Sequence, residues 1–171
     1  QVTNLTGTVV EALADTQIAA LTTAQVQALK ATNIAAMADS QIAAFAATQV
    51  AALTASQIAG LDTTNLDAFT ETQMGALTTT QLAIFSSTNV ASFADSQIAA
   101  LSTTQIQSFT ATQLAGLDET DMGEFAETQI AAMTATQVQA FSSTNFAALA
   151  DSQVAALTTT QLAAVSSTNI G

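Results

Sequence analysis

Apolar residues fall on two positions of an octad that runs through the whole chain. Val2, Val10, Ile18 and every eighth residue on to Ile170 are apolar, 22 of 22. Leu5, Leu13 and every eighth residue on to Val165 are apolar as well, 21 of 21. These are the first and second apolar positions. Gln or Asn precedes the first apolar position in 20 of 22 octads, and Ser or Thr precedes that amide in 20 of 21. The consensus is Ser/Thr–Gln/Asn–apolar–Ala–Ala–apolar–small–small, and so strict a period marks a repeat architecture.

The spacing selects the backbone. In a β-strand, side chains alternate between faces, so two positions three apart point opposite ways. A continuous α-helix turns about 100° per residue, and its apolar stripe drifts about 80° per octad. Neither heptads nor hendecads match eight residues. The helix must therefore break once per octad, leaving a helical segment of roughly 5–6 residues and a tight turn. Within it the two apolar residues share one face, as with Ile98 and Leu101. Isolated helices below about 12–15 residues are marginal, so stability has to come from stacking on neighbours. Ala and Gly between the apolar positions, as in Ala59-Gly60 and Ala115-Gly116, allow close backbone approach.

Capping signals precede each pair. Thr78 with Gln81, Thr54 with Gln57 and Thr110 with Gln113 have the spacing of a capping box. Where Ala stands first, as in Ala94-Asp95-Ser96-Gln97, the acid or the Ser is the expected N-cap. The chain has no Pro and only six Gly, which points to helical or 3₁₀ corners.

A longer period lies over the octad. Asn or Asp replaces Gln at Asn33, Asn65, Asn89, Asp121, Asn145 and Asn169. Acids at Asp15, Asp39, Glu71, Asp95, Glu127 and Asp151 are separated by steps of 24, 32, 24, 32 and 24. The segments 32–49, 88–105 and 144–161 repeat closely, 56 residues apart. The expected fold is an all-α, tightly wound solenoid with one short helical segment per octad and about 3.5 octads per turn. It is one domain over 1–171. Residues 1–12 (Gly7, Val9, Glu11) form an irregular or capping end, and 56-residue super-repeats cover 33–88, 89–144 and, in part, 145–171. With about 10 Å of rise per turn, six turns make a rod of order 60 Å. All eight Phe occupy apolar positions and read as core filling.

Charge narrows the function classes. The net charge is −12, with Lys30 the only cation and no Arg or His. Nucleic acid is not an expected partner, since phosphate neutralisation needs cationic side chains; an anionic membrane surface is disfavoured for the same reason. No apolar run reaches the ~20 residues of a bilayer span. With no His and no Cys, a thiolate metal site and a His-based nucleophile are both absent, and the chain does not read as an enzyme.

Three sets of residues carry the remaining chemistry. Asp118, Glu119, Asp121, Glu124 and Glu127 are the densest acids. Oxygen-rich loops suit Ca²⁺, although the Gly-containing spacing of a known loop is missing; the other reading is helix capping and solubility. The Ser/Thr position resembles an ice-ordering lattice, yet it lies on every corner and serves the backbone. The amides form the third set. Gln17, Gln41, Gln57, Gln73, Gln97, Gln113, Gln129 and Gln153, with Asn33, Asn65, Asn89 and Asn145, form a structural ladder that hydrogen-bonds the turns of an adjacent coil.

The run TQIAALTTAQVQAL at 16–29, with its relatives along the chain, resembles the octapeptide arrays of very large bacterial secreted proteins described as adhesins, haemagglutinin-like or haem-utilisation proteins. The resemblance implies an extracellular or cell-surface structural segment and brings no catalytic residue. The expected role is a rod or spacer of a bacterial fibre or adhesin that associates with itself or with neighbouring repeats and contacts a host surface or matrix. An ice-binding segment and a Ca²⁺-dependent adhesive segment are the alternatives. If the amides form a ladder, Gln97→Leu lowers the melting temperature more than Thr103→Ala; equal temperatures in thermal denaturation contradict it.

Overall fold

The computed structural model describes residues 6–166. Residues 1–5 of the expected irregular end, and the partial octad Asn169-Ile170-Gly171, lie outside them. The described residues are all-helical, with no strand and one helix of 4–6 residues per octad. The chain divides into two compact units, Gln1–Ile84 and Phe85–Gly171.

In the first unit the helices are α1 (Gly7–Glu11), α2 (Asp15–Ala19), α3 (Thr23–Ala28), α4 (Ala31–Ala35), α5 (Asp39–Ala43), α6 (Ala47–Ala51), α7 (Ala55–Ala59), α8 (Thr63–Asp67), α9 (Glu71–Ala76) and α10 (Thr79–Leu82). In the second they are α11 (Ser87–Val90), α12 (Asp95–Ala99), α13 (Thr103–Ile106), α14 (Ala111–Ala115), α15 (Glu119–Gly123), α16 (Glu127–Ala132), α17 (Ala135–Gln139), α18 (Ser143–Ala148), α19 (Asp151–Ala156) and α20 (Thr159–Ala164).

One octad shows how the sequence builds the unit. Thr54 is extended (φ −75°, ψ 161°) and caps α7, and Gly60 closes the helix in the αR region. The Leu61 N–H then donates to the Ile58 carbonyl over a 3₁₀-type span at 3.2 Å. Asp62 is extended again and caps α8. After the six-residue helix α3 the second apolar residue itself is extended, at Leu29 (φ −68°, ψ 143°). With the Gly60 N–H on the Gln57 carbonyl as well, also at 3.2 Å, the corner is a 3₁₀-type turn followed by extended backbone at the next N-cap. Extended φ/ψ is open to any L-residue. That is why none of the described residues has a positive φ and why the corners work without Gly or Pro.

The capping register also differs from one expectation. The N-cap is the residue after the second apolar position in every helix, even where that residue is Ala: Ala38 caps α5 and Ala94 caps α12, with Asp39 and Asp95 as first helical residues. An Ala side chain accepts nothing. The Gln two residues after the acid is what sets the register, because its Oε1 takes the N-cap backbone N–H, 3.1 Å from Ala38 and 3.0 Å from Ala94. The acid then sits in the first turn, where it favours the positive end of the helix dipole.

Packing repeats with the same stride in both units. Within each unit helices lie against the helix three further on, as α1 on α4, α4 on α7 and α6 on α9 in the first unit, and α11 on α14, α14 on α17 and α17 on α20 in the second. From Val10 to Val138 every first apolar residue is at most 2 % exposed, and from Leu29 to Leu157 the second apolar residues stay below 9 %. The Phe side chains fill this core, with edge-on pairs at Phe85–Phe93 (5.7 Å) and Phe141–Phe146 (5.6 Å).

Small residues set how closely the layers approach. A Cβ at Gly116 would lie 2.6 Å from the Ser87 Cβ, whereas one at Gly123, the last residue of α15, would meet nothing within 4 Å. Gly116→Ala is expected to destabilise by about 1–3 kcal/mol through overpacking. Gly123→Ala is expected to stabilise by up to about 1 kcal/mol through helix propensity. Denaturant melts of the two variants check the opposite signs.

Candidate functional site

A helix of five residues leaves nearly all its backbone groups without an internal partner. The amide position supplies them from both sides. At its own helix, Gln57 Oε1 accepts the Thr54 N–H at 2.8 Å, while the Thr54 hydroxyl accepts the Gln57 N–H at 3.3 Å. The other end of the same side chain reaches a different helix. Gln57 Nε2 donates to the Val26 carbonyl, 31 residues back, and to the Leu29 carbonyl, 28 back, both at 2.8 Å. These are the first and second apolar residues of one octad.

The ladder recurs with the same spans. In the first unit Gln41 donates to Val10 and Leu13, and Gln73 to Ile42 and Phe45. In the second, Gln113 reaches Phe85, Gln129 reaches Ile98 and Leu101, and Gln153 reaches Met122 and Phe125. Gln97 and Asn33 are buried, and Gln97 closes its cap on Ala94. Gln17 is exposed and, among the described residues, only closes its cap on Ala14; Asn89 is half-buried and closes its cap on Ser86.

Asn is one methylene shorter than Gln, and its reach shows it. Asn65 Nδ2 donates to Ala35 alone, at 3.2 Å, and Asn145 Nδ2 to Leu117 alone, at 2.8 Å. Among the described residues no buried side-chain nitrogen or oxygen lacks a partner.

Four further amides belong to the same ladder: Gln49, Gln81, Gln137 and Gln161, each donating 28 and 31 residues back. They occupy the same octad position, and that was the signal for them. A second tie was harder to see. Ser40 Oγ donates to Asp15, 25 residues earlier, at 3.1 Å, and Ser152 hydrogen-bonds Glu127 over the same span, which lowers the Glu127 pKa. Ser40, Ser96 and Ser152 each stand 25 residues after an acid (Asp15, Glu71, Glu127).

The acidic stretch is drawn into capping. Asp118 caps α15, accepting from the Thr120 N–H at 2.8 Å and the Asp121 N–H at 3.1 Å, and Asp121 Oδ2 accepts the Asp118 N–H at 2.7 Å. Asp121 occupies the amide position but, when ionised, has no donor for another coil. Burial raises its pKa, and the charge of Asp118 adds to this against a lowering backbone hydrogen bond. Glu119 is exposed in the first turn of α15. Glu124 takes a position that is usually Ala. Burial, a hydrogen bond to Asp95 and the charges of Asp95, Asp121 and Asp118 push its carboxyl up to about 8. A hydrogen bond between two carboxyl groups needs a proton on one of them, and the raised pKa of Glu124 makes it the carboxyl that favours the proton. Among the described residues, no three acids are grouped so as to hold a metal ion, and no helix is long and apolar enough to cross a membrane.

No protein-family model, curated protein or solved structure matches the chain.

Glu124 makes stability pH-dependent. Its folded pKa lies above the ordinary 4.5, so between about 4.5 and 8 the folded chain binds more protons than the unfolded one, and stability falls as pH rises through that window. The melting temperature is expected to drop between pH 5 and pH 8.5. Glu124→Gln should flatten the drop and melt higher than the parent at pH 8.5. A parent curve that rises with pH contradicts the assignment.

Proposed function

We propose that this chain is a structural, non-enzymatic repeat segment: a superhelical coil of about 3.5 octads per turn, serving as a rod or spacer of an extracellular bacterial fibre or adhesin. One observation carries the reading. Within each unit helices pack on the helix three octads on, while the Gln amides bond the octad four back, with spans of 28 and 31 residues as at Gln57. Contact with the third and the fourth neighbours together supports a turn of about 3.5 octads. Twenty-eight residues are also half of the 56-residue sequence period. Every octad spends its polar and apolar groups on its neighbours, so the same bonds accept further octads without a new design. The extracellular assignment rests on the octapeptide resemblance alone.

Lengthening tests the coil. A chain carrying a second copy of residues 89–144 directly after residue 144 should gain about 20 Å in maximum dimension by small-angle scattering, two turns at about 10 Å each. It should keep its helical circular dichroism per residue and melt no lower than the parent. Swelling in all dimensions, or loss of helix, overturns the coil. For the location, antibodies against the chain should label intact producing cells; labelling only after lysis overturns it.

A further inference from the structure

One rung of the ladder is missing inside the second unit, and an acid stands where its donor should be. The carbonyls of Phe85, Leu101, Phe109, Leu117, Phe125 and Met133 each accept from the amide 28 residues on. Phe93 falls between them, and its carbonyl accepts nothing among the described residues. The residue 28 places after Phe93 is Asp121, at the amide position. The packing loosens at the same layer. Helices three apart in this unit pack closely on one another, α12 on α15 excepted. A pair of acids links those two helices: Glu124, just after α15, is hydrogen-bonded to Asp95, the first residue of α12.

Asn145 shows how a side chain of this length makes a rung. Its Oδ1 accepts the Ser142 N–H at 2.9 Å, and its Nδ2 donates to the Leu117 carbonyl at 2.8 Å. Asp121 has the same length and closes the same cap, with Oδ2 accepting the Asp118 N–H at 2.7 Å. Its Oδ1 then corresponds to Nδ2 of Asn145, and the Phe93 carbonyl to that of Leu117. Ionised, Oδ1 is an acceptor set against an acceptor; protonated, it is the missing donor. We propose that α15 is a proton-operated joint, closed when Asp121 donates to the Phe93 carbonyl and Glu124 to Asp95, and loosened when both carboxyls ionise.

The surroundings hold protons at this joint. Burial raises both carboxyls, and the charges acting on them are acids: Asp118 on Asp121, and Asp95, Asp121 and Asp118 on Glu124. Glu119 lies on α15 itself. The packed helix α18 carries no charge, and α19, whose Gln153 bonds Met122 and Phe125, carries Asp151. The second unit has no Lys, Arg or His to neutralise an ionised pair. Elsewhere the rungs are amides, which do not titrate, so the response is confined to one layer. The joint depends on the ladder alone and is independent of the rod and its location.

An NMR titration of the isotope-labelled chain, from pH 8.5 down through both carboxyl transitions, tests the joint. The Phe93 carbonyl carbon should move downfield, as a hydrogen bond forms on it, with the same midpoint as the Asp121 carboxyl. The Leu117 carbonyl, held by Asn145, should not follow. Amide exchange at Met122 and Glu124, corrected for its intrinsic pH dependence, should quicken about tenfold once both carboxyls ionise, with α17 unchanged. Asp121→Asn supplies a permanent donor and keeps the cap. It should hold the Phe93 carbonyl downfield at every pH and melt higher than the parent at pH 8.5. A parent whose Phe93 carbonyl ignores the Asp121 midpoint overturns the joint without recourse to any variant. So does an Asp121→Asn chain that melts higher with the Phe93 carbonyl unmoved, because loss of charge alone then accounts for the gain.

Discussion

The structure depends on one constraint: helices too short to satisfy their own backbones. A helix of 4–6 residues has hardly an internal i→i−4 bond beyond its first turn, and its end groups cannot be buried without partners. The amide position meets both needs at once. Its oxygen closes the start of its own helix, and its nitrogen closes the end of another 28–31 residues away. Capping and tertiary contact are therefore one side chain. Helix formation and stacking become the same event, and a helix that would not persist in isolation persists in the array.

The same economy explains the variation at this position. Asn keeps the donor but reaches one carbonyl where Gln reaches two. Asp121 keeps the cap and loses the donor, and it is in this neighbourhood that carboxyl groups crowd, with Glu124 hydrogen-bonded to Asp95 and its pKa pushed up to about 8. A chain of low charge density, with 14 charged residues among 171, thus concentrates its main titrating feature where the repeat departs from its consensus.

Among the described residues most apolar positions and most amides are buried, and the exposed residues are mainly Thr, Ser, Ala and Gln with scattered acids. The apolar residues Val154 and Leu162 and the amides Gln17 and Gln25 are exposed.

Much of this was legible from residue order. The three-residue spacing of the apolar pair, its repetition every eight residues and the amide beside it impose short helices, a common core face and a ladder, because side-chain direction along a backbone follows from local geometry alone. The extended corner, the N-cap at Ala38 or Ala94 in place of the neighbouring acid, the Ser40–Asp15 tie and the raised pKa of Glu124 were not legible. Each depends on which octads come to lie against one another, and residues 25 to 31 apart in the chain meet only when tertiary packing has set the stride of three to four octads. Local sequence determined what every octad offers to its neighbours; the tertiary structure decided which neighbour receives it.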